Sequence, residues 1–298
     1  MSAGEPALIG DLSRIEGLIA RQRGGDASVH AITLTLVAVA PDQAHRERTV
    51  GLLSDVGGSH PLRALVVTPS EGEPRAAVSM ACWFGAGREV CSEQVVIEAA
   101  TRALPSAVAS LLAPDLPVFL WWQGSAVEGD PLLGELAAQA GRLVLDGGEC
   151  GLEGVRAARG LGPAVSDLQW TRLLPWREAL AGLFDSERSR SALSAISAVE
   201  VVGPIDQARL LAGWLRSRLR ARVDLRHLPS DTLERVAVIA GGRFTVERTG
   251  RPGVGRTKDA AGGECPVMLA GRTLADQLAT ELDRLGRDRV FEQALEAA

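Results

Sequence analysis

Leu111-Leu112-Ala113-Pro114-Asp115-Leu116-Pro117-Val118-Phe119-Leu120-Trp121-Trp122-Gln123-Gly124 decides how this chain is read. Pro114 and Pro117 bracket an Asp-Leu step, so a helix running through Leu112 must stop here. Pro117 then opens an unbroken apolar run that Gln123-Gly124 ends. Too short for a helix and rich in aromatic and β-branched residues, the run reads as a strand buried on both faces, which calls for helices over both sides of its sheet. Neighbouring side chains of a strand point to opposite faces. Trp121 and Trp122 therefore anchor one helical layer each, or one holds the core while the other lines a cleft. The carboxyl end of such a strand is where an open α/β sheet places a site, which makes Trp122 and Gln123 candidate binding residues.

Upstream, Leu8, Leu12, Ile15, Leu18 and Ile19 share one face of a helix that Gly24-Gly25 stops. Strands are predicted over 30–40, 62–67, 76–84 and 88–99, with helices over 41–56 and 104–112. Downstream come a helix at 131–140, a strand at 142–145 and a helix at 152–159. This alternation predicts an α/β fold with a mostly parallel sheet covered by helices. The segment 160–163 is the expected boundary, giving an N-terminal helix (1–25), an α/β domain (26–162) and a second, smaller α/β unit at the C-terminus (163–298). In that second unit Trp170, Leu173, Leu174, Trp176, Leu180, Leu183 and Phe184 form an aromatic helical stretch interrupted at Pro175. A strand at 199–202 and a helix at 206–220 follow. Strands 235–240 and 243–248 flank Gly241-Gly242, a strong hairpin signal. Residues 250–263 read as a glycine-rich, mobile-looking loop. A last strand (267–269) and one or two helices (274–295) complete the chain.

With 46% hydrophobic and 23% charged residues, the 298-residue chain can bury a sizeable core. A net charge of -5 argues against nucleic acid as a partner. The N-terminus lacks a basic-then-apolar leader, and no apolar run approaches the ~20 residues that span a bilayer. The expected compartment is the cytoplasm, with no membrane association. Cys82, Cys91, Cys150 and Cys265 contain no C-x-x-C pair, and His30, His45, His60 and His227 are scattered, so no structural zinc is expected. If Ala86-Gly87 is a two-residue turn, Cys82 stands opposite Cys91, with Cα atoms ~4.5 Å apart in a non-hydrogen-bonded pair. The two are a candidate redox pair, although a reducing cytoplasm would keep them as thiols.

Gly250-Arg251-Pro252-Gly253-Val254-Gly255-Arg256-Thr257 nearly matches a phosphate loop, but Arg256 replaces its lysine. The glycine-rich residues that follow cannot supply the helix whose N-terminus holds phosphates. No G-x-S-x-G elbow, H-E-x-x-H helix or dinucleotide fingerprint is present. Glu93, Glu98 and Asp115 are acids without a constellation. The residues offer no catalytic set, metal site or cofactor site.

Asp115-Leu116-Pro117-Val118-Phe119-Leu120-Trp121-Trp122-Gln123-Gly124 resembles the "DLPV-x-LWW-x-G" signature of the OpcA family, the glucose-6-phosphate dehydrogenase assembly proteins. Asp167-Leu168-Gln169-Trp170-Thr171-Arg172-Leu173-Leu174-Pro175-Trp176-Arg177-Glu178 is similar to its "DL-x-WTRL-x-PWRE". Thr33-Leu34-Thr35-Leu36-Val37, His60-Pro61-Leu62-Arg63 and Cys91-Ser92-Glu93-Gln94-Val95 agree in order and spacing, so the resemblance covers roughly residues 8 to 220. It implies a non-catalytic partner that promotes assembly or activation of glucose-6-phosphate dehydrogenase, the NADP-dependent entry enzyme of the oxidative pentose phosphate pathway. In cyanobacterial members the system is linked to thioredoxin; the resemblance assigns no regulatory role to any of the four cysteines present here and leaves redox control open.

The expected function is thus an allosteric assembly factor of that dehydrogenase. The alternatives are a sugar-phosphate or nucleotide enzyme using the Gln123-Gly124 strand end and Arg172, or a purely structural oligomerisation module. Trp170, Arg172, Trp176 and Arg177 are the expected docking residues. On a helix 170, 173, 174 and 177 share one face and 172 and 176 another, so one core-facing stripe cannot bury all four. Trp and Arg are also enriched at interface hot spots.

Overall fold

The computed structural model describes residues 8–10, 15, 17–19, 32–57, 60–85, 88–125, 127–219 and 221–298, with backbone alone for 8–10 and 81–91. The chain runs through β1 (Leu8–Gly10), β2 (Leu34–Val39), α1 (Gln43–Gly57), β3 (Leu62–Pro69), β4 (Arg75–Gly85) and β5 (Arg88–Ala99). Next come α2 (Leu104–Leu111), β6 (Val118–Trp122), α3 (Pro131–Ala137), β7 (Arg142–Leu145), α4 (Gly147–Ala158) and β8 (Ala164–Asp167). Then follow α5 (Leu168–Arg172), α6 (Leu174–Gly182), α7 (Glu187–Ser191), β9 (Ile196–Gly203), α8 (Ile205–Leu219) and β10 (Asp224–Pro229). Last are β11 (Arg235–Ala240), β12 (Arg243–Arg248), β13 (Val254–Lys258), β14 (Glu264–Met268), α9 (Leu274–Leu282) and α10 (Arg289–Glu296). Two compact units result: the chain up to Leu168 together with Leu274–Arg287, and Gln169–Thr273 together with Asp288–Ala298.

The first unit holds an eight-stranded sheet ordered β1-β4-β5-β3-β2-β6-β7-β8. Its five pairings from β5 through β8 are parallel, while β1-β4 and β4-β5 are antiparallel. On one face Leu36, Ala38, Ala64, Val66, Phe119 and Trp121 pack with Leu53 and Val56 of α1 and Leu278 and Leu282 of α9. On the other, Leu65, Leu120, Trp122 and Leu143 are equally buried. Helices α2 and α3, which contact β3 and β6, contribute nothing to the first cluster and cover this second face. Both faces of β6 are therefore dry, as its apolar run requires. Ahead of β6, Asp115 takes a φ of 66° between its two prolines, a left-handed turn that Asp tolerates better than most residues.

The N-terminal expectation changes in part. Residues 8–10 are a strand, with Leu8 opposite Val78 on β4, rather than the first turn of a helix. Three residues are too few for periodicity to separate the two states, and the unpaired edge of β4 decides. Ile15, Leu18 and Ile19 are buried, and 17–19 are helical. Beyond the expected boundary at 160–163, Ala164–Asp167 still belongs to the first sheet as β8, paired with β7.

The second unit is built on a six-stranded sheet ordered β10-β9-β11-β12-β13-β14. Only β9-β10 is parallel, joined through α8; the other four pairings are antiparallel. The mostly parallel expectation thus fits the first sheet and fails for the second. One face carries Val199, Val236, Phe244 and Val246 under helices, with Phe184 and Phe244 ring centroids 4.6 Å apart. Helices α8 and α10 approach closely at Gly213, where an added Cβ would lie 2.1 Å from the Ala294 carbonyl oxygen. The hairpin turn at Gly241 has the positive φ, 66°, that its Gly-Gly pair announces.

The segment 250–263 is not a mobile-looking loop over its length. It holds β13, paired to β12 and β14, and a turn in which Asp259 accepts hydrogen bonds from Ala261 and Gly263. Its Val-Gly-Arg-Thr-Lys alternates charged side chains onto an open sheet face, so no apolar run announces the strand. Strand β10 was missed for the same reason.

Candidate functional site

At the carboxyl end of β6, Trp121 and Trp122 are both buried, at 3% and 6% exposure. Gln123 continues the ladder by donating its N–H to the Val39 carbonyl, and its side-chain amide exchanges hydrogen bonds with the buried Thr49 hydroxyl on α1. An added Cβ at Gly124 would stand 2.9 Å from the Trp122 indole nitrogen. The strand end is thus closed over by its own side chains, with Gln123 half-buried.

The second motif lies on α5 and α6, with Pro175 in the first turn of α6, where its missing N–H costs nothing. Trp170 is 1% exposed; its ring meets Phe291 at 5.7 Å, and its indole N–H donates to Asp288 Oδ2. Asp288 also caps α10 by accepting from the Phe291 N–H, so one carboxylate seats both helix and indole. The Arg177 guanidinium stacks 3.4 Å from the Trp170 ring centroid and donates to the Trp170 carbonyl. Trp176 is 3% exposed, with Arg248 5.6 Å from its ring centroid. Both indoles therefore act as anchors, while Arg172 and Arg177 are half-buried and Glu178, at the end of the motif, is exposed. Phe291, Asp288 and Arg248 complete this seat; their distance in sequence hid them, although the Asp288 cap before a helix was a readable signal.

The candidate acids have structural roles. Glu93, 1% exposed, accepts from Arg63, which also donates to the Leu111 carbonyl, and Glu98 pairs with Arg46 at 2.5 Å. Cys82 stands opposite Cys91 in the β4-β5 ladder, with Gly85 opposite Arg88, in the register expected from sequence. Burial, reinforced by Asp167 and Asp146, pushes the Cys150 thiol up to about 12, so it is not a thiolate at neutral pH. Among the described residues no cluster of three or more His, Cys, Asp or Glu side chains could hold a metal ion, and no helix is long and apolar enough to cross a membrane.

The open face of the second sheet carries a charge ladder. Glu200 meets Arg243 at 2.6 Å and Arg226 at 3.0 Å; Arg256 and Lys258 each bridge Glu247 and Glu264. Partial burial works to raise the Glu200 carboxyl, but Arg243 and Arg226 outweigh it and hold it below its ordinary range. The Arg256 hydrogen bond lowers Glu247, and the Lys258 hydrogen bond lowers Glu264.

Comparison with known proteins covers both units. Residues 54–156 match the family profile described as glucose-6-phosphate dehydrogenase subunit N-terminal domain, and 163–295 match the corresponding C-terminal domain. The OxPP cycle protein OpcA of Nostoc punctiforme is 30% identical over 215 residues, 66% of this chain and 44% of that protein. Those of Synechocystis sp. and Synechococcus elongatus are each 26% identical, over 57% and 68% of this chain and 39% and 50% of their own lengths. The chain therefore spans about half the length, or less, of these relatives. With the tryptophan strand inside one matched region and the Trp-Arg helices inside the other, the chain belongs to the OpcA family.

Proposed function

We propose that this protein is a non-catalytic assembly factor and allosteric activator of glucose-6-phosphate dehydrogenase in the oxidative pentose phosphate pathway, acting in the cytoplasm. The observation that carries the reading is the pair of family matches, one in each half of the chain, whose descriptions both name that dehydrogenase. The candidate acids sit in ion pairs or on an exposed turn, which supports a binding role over turnover.

In this reading the buried indoles of Trp170 and Trp176 fix helices α5 and α6, and Arg172 and Arg177 meet the partner. Gln123 at the β6 end is the second candidate contact, held in place by its two hydrogen bonds to the Thr49 hydroxyl. Arg177 is pre-organised by its stack, so docking orders little further side chain, which lowers the entropic cost of association. A protein that binds the active oligomer tenfold better than the inactive form shifts that equilibrium by ~1.4 kcal/mol, within reach of one hot-spot residue.

A coupled NADPH assay of the cognate dehydrogenase, with and without this protein, tests the reading. Activation by the protein, with no NADPH formed by the protein alone, is the expected result. Binding without a kinetic change would leave a structural oligomerisation module. Turnover by the isolated protein would overturn the non-catalytic assignment.

A further inference from the structure

The six-stranded sheet has two edges, and they differ. In β14 the Leu269 N–H donates to the Gly253 carbonyl and Asp259 donates to Gly263, so odd-numbered residues face β13 and even-numbered ones face outward. Pro266 is the central outward residue of that edge, and it has no N–H to offer a further strand. In β10 the Ser230 N–H donates to the Gly203 carbonyl, so even-numbered residues face β9 and odd-numbered ones face outward. The outward residues are Leu225, His227 and, at the very end, Pro229. No described strand pairs with this edge. One edge is blocked at its centre and the other is open there.

We infer that the open β10 edge is a self-association surface, pairing antiparallel with β10 of a second copy of this chain about a two-fold axis through Leu225. The charge pattern selects both occupant and register. On one sheet, residues opposed across an antiparallel pair share a face, so β10 meets its own copy over three or more residues in four registers. They centre on Leu225, Arg226, His227 or Leu228, and the last sets Pro229 against His227 and forfeits its ladder bonds. Centring on Arg226 opposes two arginines, and like charges directly opposite are destabilising. Centring on His227 brings Pro229 against Leu225, where the missing N–H forfeits a ladder bond on each side. Centring on Leu225 lets the two leucines exchange both backbone hydrogen bonds and places Asp224 opposite Arg226 twice over. These two side chains are 69% and 63% exposed on the open face, with Asp224 3.5 Å from Arg222 and Arg226 3.0 Å from Glu200. An isologous interface needs this self-complementarity: each copy offers both halves of both pairs. The inference does not rest on the dehydrogenase reading.

Sedimentation velocity on the full chain at tens of micromolar tests it. Wild type sediments as a dimer, whereas Asp224→Arg and Arg226→Asp, each shown to be folded by its thermal melt, lose association at least about tenfold. Mixing the two variants restores the dimer, because every opposed pair in the heterodimer again joins opposite charges. A monomeric wild type, a single variant that dimerises as wild type does, or a mixture of folded variants that stays monomeric would each overturn the proposal. A second measurement is independent of the ion pairs: Leu225→Cys should form a disulfide-linked dimer under mild oxidation, since directly opposed hydrogen-bonded residues have Cα atoms ~5.5 Å apart. Neither wild type nor Leu228→Cys should do so, and equal cross-linking in all three would count against this register.

Discussion

The two sheets satisfy one requirement in opposite ways. Strand β6 of the first sheet lies between helical layers, so consecutive residues Trp121 and Trp122 both enter a core. Strand β12 of the second sheet has one covered face, so Phe244 is 3% exposed while its neighbour Arg243 joins the charge ladder. A strand dry on both sides is written as an apolar run; a strand dry on one side is written as alternation, and its charged half reads as loop. Mutational tolerance should follow the same division, with period one in the first sheet and period two in the second.

The largest expected effect tests that division directly. Trp121→Ala and Trp122→Ala should each destabilise by ~3–5 kcal/mol, as should Phe244→Ala, while Arg243→Ala costs ~1 kcal/mol or less. Chemical denaturation of the four variants is the measurement; a large loss at Arg243, or a small one at either tryptophan, breaks the comparison. Gly213→Ala comes next, since its Cβ meets backbone that cannot swing aside; a loss of ~1–3 kcal/mol or more is expected, without the cavity signature of a truncation.

Arg177→Ala should cost ~0.5–2 kcal/mol through the lost stack on Trp170, visible as a lowered melting temperature. Affinity for the dehydrogenase should fall at least tenfold, read by calorimetry on folded protein. Arg172→Ala, outside that stack, is the companion that separates docking from stability. Wild-type affinity in both would mark the segment as scaffold.

The smallest effect is the pH dependence of the open face. Glu200 and Glu247 are held below the ordinary value of 4.5, so the folded state favours their charged forms. Their contribution is complete above that value and is lost as pH falls below it towards their lowered values. Glu247→Gln should cost ~1 kcal/mol or less near neutral pH and flatten the acid limb of the melting curve. An unchanged acid limb would show that the ladder is solvated rather than stabilising.

Much of the first unit was legible because its signals are local. The prolines around Asp115, the run after Pro117, and the register that opposes Cys82 to Cys91 are each set within a short stretch of sequence. Alternation of charged and apolar residues was legible in principle at 224–229 and 254–258, but glycine and arginine masked it. What sequence could not supply was partnership at a distance. The aromatic density of Trp170 and Trp176 suggested an exposed hot spot, whereas Phe291, Asp288 and Arg248, far along the chain, enclose both rings. A helical wheel counts faces on one helix and has no knowledge of the elements that cover them.

The final twenty-five residues carry a consequence for how the protein is made. Leu278 and Leu282 complete the core of the first unit, and Phe291 completes the seat of Trp170 in the second. During synthesis the ribosome has therefore delivered both sheets before either core is complete, and each still lacks side chains that residues 274–298 supply. No single cut in the gene yields two self-sufficient halves, and a premature stop at Leu274 strips side chains from both cores at once.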